Sequence, residues 1–183
     1  MNIIATLRRT LLLSAGLSLL SVSGTYAVVL AQPGRLLSAT TTSNEIRAWE
    51  ATYYFTLTVP ASATDALQQV ALTQIQGSED ISFDAKESFA FERNVDGGNS
   101  SRRGEKLGIT LANSENQSRT VIVTFNEPVA PGKTITIGLK PYRNPSYDGM
   151  YQFQVRTIST GKSTHNPIIG TARLQFYNVV DNE

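Results

Sequence analysis

Apolar and polar positions alternate with a period of two along most of the chain, and the clearest rows fall within 119–159. Val121, Val123 and Phe125 alternate with Thr120, Ile122 and Thr124; Ile135, Ile137 and Leu139 alternate with Thr134, Thr136 and Gly138. Tyr151, Phe153 and Val155 alternate with Gln152, Gln154 and Arg156. Successive side chains of a strand point to opposite faces, so each row predicts a strand with one buried and one wetted face. The joints, Asn126–Lys133 and Lys140–Met150, are rich in Pro, Gly, Asn and Asp, the residues of turns. Three such strands in succession predict an antiparallel meander.

The same pattern recurs on either side. Tyr53, Phe55, Leu57 and Val59 form an alternating run ended by Pro60. In 61–77 a short turn or a helical turn is expected to about Gln69, with Thr64 as a candidate cap, and then a strand through Val70 and Leu72 to Gln76. Short strands are expected at Ile81–Phe83 and around Phe89 and Phe91, then an exposed loop at Asn94–Glu105. One further strand runs through Leu107, Ile109 and Leu111, and Leu174 with Phe176 marks the last. Eight or nine short strands with no long helical period predict an all-β fold. The expected form is a two-sheet antiparallel β-sandwich, Greek-key or immunoglobulin-like, over 46–178.

The first thirty residues break the pattern. Arg8 and Arg9 precede an apolar run, Leu11–Val22, and small residues follow at Ala27 and Ala31. That is the layout of a secretory signal peptide over 1–31, cleaved after Ala31 or Ala27, with no membrane span left once it is removed. Its Arg-Arg pair leaves both the general and the twin-arginine export routes open. The Ser/Thr-rich 32–45 is expected as a flexible lead-in and 179–183 as a tail. Without Arg8 and Arg9 the chain carries 14 basic against 15 acidic side chains, so no field of one sign attracts nucleic acid. There is no cysteine, so an exported domain of this size holds together by its core and carries no thiol for a lipid anchor.

Few chemistries fit this composition. His165 is the sole imidazole, and zinc or copper sites need several His or Cys ligands. Glu79 and Asp80 with Asp84 and Glu87, or Asp96 with Asn99, are the best oxygen clusters for calcium, but neither has the spacing of a calcium loop. No serine sits in a Gly-x-Ser-x-Gly elbow. Gly161-Lys162-Ser163-Thr164 lacks the upstream glycine of a phosphate loop, since Arg156 stands there. No catalytic, cofactor or metal residue is therefore assigned. Aromatic rings are the better hint: Tyr142, Tyr147 and Trp49 fall outside the inward rows, and such rings stack on sugars or anchor partner proteins. With Arg143 and Asn144 the 140–147 loop makes a candidate binding rim, and Arg102 with Arg103 a second one.

The order of motifs is also familiar. Tyr53-Tyr54-Phe55 leads to Val59-Pro60, Val121–Phe125 to Pro128-Val129-Ala130-Pro131-Gly132, and Thr134–Leu139 to Lys140-Pro141 and Arg143-Asn144-Pro145. Gly149-Met150-Tyr151-Gln152-Phe153 and the closing Leu174-Gln175-Phe176-Tyr177 complete the set. From Ile46 to Tyr177 the chain resembles a cyanobacterial family of exported proteins known as domain of unknown function, family 2808. The resemblance implies a cyanobacterial source and export, and brings no reaction, ligand or catalytic residue with it. The expectation is a non-catalytic module of the cell envelope, in the periplasm, the thylakoid lumen or the medium, that docks another envelope protein. A carbohydrate-binding module using exposed aromatics is the first alternative, and an acid-catalysed glycosidase built on paired carboxylates the second.

Overall fold

The computed structural model describes residues 34–93, 103–161 and 166–179. Ten strands follow one another with no helix among the described residues: β1 Arg35–Thr41, β2 Tyr53–Thr58, β3 Leu67–Gln76, β4 Phe83–Arg93 and β5 Arg103–Leu107, then β6 Ile109–Asn113, β7 Thr120–Val129, β8 Thr134–Pro141, β9 Gly149–Ser159 and β10 Ile168–Phe176. They pair antiparallel into two five-stranded sheets, ordered β1-β2-β8-β4-β5 and β10-β9-β3-β7-β6. The inward rows read from the sequence are the core between these sheets. Tyr53, Phe55, Leu57, Ile135, Ile137 and Leu139 come from the first sheet; Val123, Phe125, Tyr151, Phe153 and Val155 from the second, all buried. The fold is an open β-sandwich.

Its connectivity is immunoglobulin-like. β1-β2-β8-β4 reproduces the A-B-E-D strand order and β10-β9-β3 the G-F-C order. β5, β6 and β7 are added between D and E, extending the first sheet beside β4 and the second beside β3. Tyr151, at the start of β9, donates its hydroxyl to the Tyr147 carbonyl four residues upstream at 3.2 Å, the tyrosine corner of such sandwiches. Two residues on, Phe153 meets Phe55 of β2 edge-on, with centroids 5.9 Å apart. In a chain without cysteine, this pair stands where immunoglobulin domains place their inter-sheet disulfide.

Several expectations need correction. β7, β8 and β9 do not form a meander: β7 and β9 share one sheet and β8 lies in the other, so both joints cross the sandwich. Alternation fixes which side of a strand is buried, and an inward row suits either layer. The turn before β3 is a short one, with Ala63 N donating to the Pro60 carbonyl at 3.1 Å, and it is not helical; β3 starts at Leu67, because pairing with β7 and β9 outweighs a weak local propensity. The expected lead-in, 32–45, contains β1. This edge strand lacks clean alternation, has a bulge between Leu36 and Ser38, and is ordered by its backbone pairing to β2. The sandwich therefore begins before Ile46.

Two strands were also divided differently. Phe83 and Phe91 belong to one strand, β4, interrupted by a bulge after Asp84. There Asp84 Oδ1 accepts from Lys86 N at 2.7 Å, and Ser88 Oγ donates to the Asp84 carbonyl at 2.6 Å. The single strand expected through Leu107–Leu111 is two, β5 and β6, in different sheets and separated by Gly108. The chain turns this corner where the Gly108 carbonyl accepts from Asn126 N, and a Cβ at 108 would lie 2.6 Å from Asn126 Nδ2. Residues 1–31, the expected signal peptide, lie outside the described residues.

Candidate functional site: the aromatic end of the sandwich

Strand registers gather the candidate residues at one end. Tyr53 lies opposite Thr41 and Leu139, Phe83 opposite Pro141, Thr73 opposite Thr120, and Phe176 opposite Gly149. The loops 42–52, 77–82, 114–119 and 142–148 therefore emerge together. Backbone hydrogen bonds join three of them, 42–52, 142–148 and 77–82: Arg47 N to the Pro145 carbonyl at 3.0 Å, Asn144 N to Ala48 at 2.8 Å, and Tyr142 N to Ser82 at 3.1 Å. Ile46 and Tyr177 extend the set through an N–H of Ile46 that donates to the Tyr177 carbonyl at 2.9 Å. On this frame Trp49, Tyr142, Tyr147 and Tyr177 stand 69, 59, 62 and 52% exposed.

Asn144 does not belong to the exposed rim. It is fully buried, accepts from the Tyr53 hydroxyl at 2.8 Å, and donates to the Ser43 and Glu45 carbonyls at 3.0 and 2.7 Å. A buried amide must satisfy its polar atoms within the protein, and this one does so by clamping loop 42–52 to the core. Its partner's phenol is held protonated far above the ordinary tyrosine range, by burial first and by the neighbouring Tyr151 second.

The profile of the family described as "Protein of unknown function (DUF2808)" matches residues 25–176. The chain belongs to this family. No curated protein matches it.

In this DUF2808 domain Glu79 links two of the end loops. Its carboxylate accepts from Ser146 N at 2.6 Å and from Arg143 Nη2 at 3.3 Å. The Ser146 amide, ahead of the Arg143 charge, holds its pKa below the usual carboxylate range. Arg143 is thus half-exposed and paired. Tyr142, Arg143 and Pro145 line a cleft of about 180 Å³ with Glu79 and Ser82. Behind it Gly77, at φ +129°, lies directly on the Tyr151 ring, leaving no space for a Cβ.

The second candidate rim does not join the first. Arg103 opens β5 opposite Arg93, at the far end of the sandwich, and Arg102 lies outside the described residues. The length of β8, eight residues, separates the ends by roughly 25 Å. The proposed calcium donors are also dispersed among separate partners. Glu79 serves Ser146 and Arg143, Asp80 lies 2.6 Å from Arg119 Nε, and Asp84 holds the β4 bulge. Among the described residues no three His, Cys, Asp or Glu side chains converge. Asp96, Asn99 and His165 lie outside them. Among the described residues there is also no helix long and apolar enough to cross a membrane.

The buried role of Asn144 and the place of Tyr177 were missed by sequence reasoning. Arg143-Asn144-Pro145 reads as a polar turn, and nothing local reveals a tyrosine 91 residues away whose hydroxyl donates to the amide oxygen. Tyr177 looks like the end of a strand until its pairing with 44–46 brings it beside the other rings.

Proposed function

We propose that this DUF2808 domain is an exported, non-catalytic module of a cyanobacterial cell envelope that docks another envelope protein. The docking surface is the end carrying Trp49, Tyr142, Tyr147 and Tyr177. One observation supports the reading above others: four exposed rings stand on loops that are hydrogen-bonded to one another. Tyr and Trp offer large contact area with few rotatable bonds, so rings on a fixed frame lose little entropy on binding. Glu79 and Asp80, two of the carboxylates at this end, each face an arginine, an arrangement that suits recognition better than proton transfer at those two positions.

The test is recovery of a partner from native envelope extract. Wild-type protein is expected to retain a stoichiometric partner, and Trp49→Ala/Tyr142→Ala/Tyr147→Ala to lose it with an unchanged urea midpoint. Equal recovery by both proteins overturns the docking reading. A second reading, polysaccharide binding, is favoured by the cleft in which Tyr142 lies beside Glu79 and Arg143, a ring next to hydrogen-bonding groups. Co-sedimentation with envelope polysaccharide and no protein partner, abolished by Tyr142→Ala, selects it.

A further inference from the structure

Next to the Tyr142 cleft, and sharing Asp80, Ile81 and Ser82 with it, a cavity of about 240 Å³ opens between the 80–83 segment and the β6–β7 turn. Its apolar floor is the half-buried ring of Phe83, backed by Leu72, Val121 and Phe153, which are themselves buried in the core. That ring is fixed edge-on to Tyr53 at 5.8 Å and lies 6.3 Å from Phe153. Around the mouth stand Asp80, Ser82, Asn113, Ser114, Gln117 and Arg119, a set of hydroxyls and amides with one charge of each sign.

Arg119 is the built part of this mouth. Its backbone is left-handed, at φ +57°, an uncommon state for a residue with a side chain. The guanidinium is held by Nη2, which donates to the Gly77 carbonyl at 3.0 Å and to Glu79 at 3.4 Å. Nε is ion-paired with Asp80 Oδ1 at 2.6 Å. Asp80 itself is 71% exposed and keeps lone pairs open to a ligand.

We infer that this cavity is a subsite for a single neutral pyranose ring, the end unit of a glycan. Apolar floor and polar mouth match the two faces of such a ring, one of C–H groups and one of hydroxyls. A hydroxyl both accepts and donates, so one hydroxyl can accept from the guanidinium and donate to Asp80. Opposite charges in one mouth leave no net attraction for an anion or a cation. The volume falls below the range of about 300–1,000 Å³ typical of drug-sized ligands, which admits one ring and excludes a buried oligosaccharide. The inference does not rest on the docking reading, since none of the four exposed rings lines this cavity.

Saturation-transfer NMR on the full chain with methyl pyranosides of glucose, galactose, mannose and N-acetylglucosamine tests it. Ring-proton saturation is expected for at least one sugar. Asn113→Ala/Gln117→Ala, both at exposed positions, is expected to weaken binding at least tenfold with an unchanged urea midpoint. Asp80→Asn is expected to weaken it as well, and Tyr142→Ala/Tyr147→Ala to leave it intact. Absence of saturation from every sugar overturns the inference. So does binding insensitive to Asn113, Gln117 and Asp80, or a preference for glucuronate over glucose.

Discussion

Asn144 joins the core to the candidate surface. Replacing it by Ala strands the Tyr53 hydroxyl and two carbonyls, and is expected to cost about 3 kcal/mol. Tyr53→Phe removes only one of those bonds and leaves one amide oxygen unpaired, for about 1–2 kcal/mol. Urea midpoints should therefore rank wild type above Tyr53→Phe above Asn144→Ala; equal midpoints would show that the clamp is unimportant. Exposure of the rim tyrosines was legible from the sequence because Tyr142 and Tyr147 stand outside every alternating row. The role of Asn144 was not, because Asn in a Pro-flanked turn is common in solvent and the same residue buried depends on distant partners. Tyr151 is a related case. Tyr-x-Cys would have signalled the corner, but Phe153 stands in the cysteine's place.

At the scale of elements, Glu79 couples the β3–β4 loop to the β8–β9 loop. Its pKa is lowered on folding, chiefly by the Ser146 amide, so the folded state binds its proton less readily than the unfolded state does. The sign follows from linkage: the stabilisation is complete above the ordinary carboxyl range and is lost as pH falls through the lowered value. Glu79→Gln is expected to cost about 1 kcal/mol at pH 7 and to flatten stability against pH on the acid side. Urea unfolding at intervals between pH 7 and pH 3 measures both. An acid limb as steep as that of the wild type would assign the effect to other carboxylates. Element boundaries show the same division between local and distant causes. β2, β7, β8 and β9 announce themselves because along most of each strand one face is buried. β1 is set by pairing, and the β5–β6 division by a backbone corner at Gly108, and neither leaves a periodic trace.

Across the whole molecule, the sequence rows identified which side chains meet in the core, while the layer each strand joins depends on loop crossings that alternation does not encode. The same crossings decide the candidate surface. They bring Trp49, Tyr142, Tyr147 and Tyr177 to one end and leave Arg103, at the start of β5, at the other, so it does not join the aromatic rim. What holds the two layers in register is an aromatic core with no covalent tie. Phe153 touches Phe55, Tyr53 and Phe83, three rings of the facing sheet, and is 1% exposed. Deleting such a ring forfeits its transfer energy and leaves a cavity, so Phe153→Ala is expected to cost about 3–5 kcal/mol. That is a large part of the roughly 5–15 kcal/mol that holds a domain folded, so the variant should unfold at much lower urea or fail to fold. Phe153→Leu keeps most of the volume and should lie between the two, which separates loss of packing from loss of the fold. Trp49→Ala, at the exposed end, should stay within about 0.5 kcal/mol of wild type. If Phe153→Ala and Trp49→Ala shifted the midpoint equally, the two layers would be held by something other than this ring.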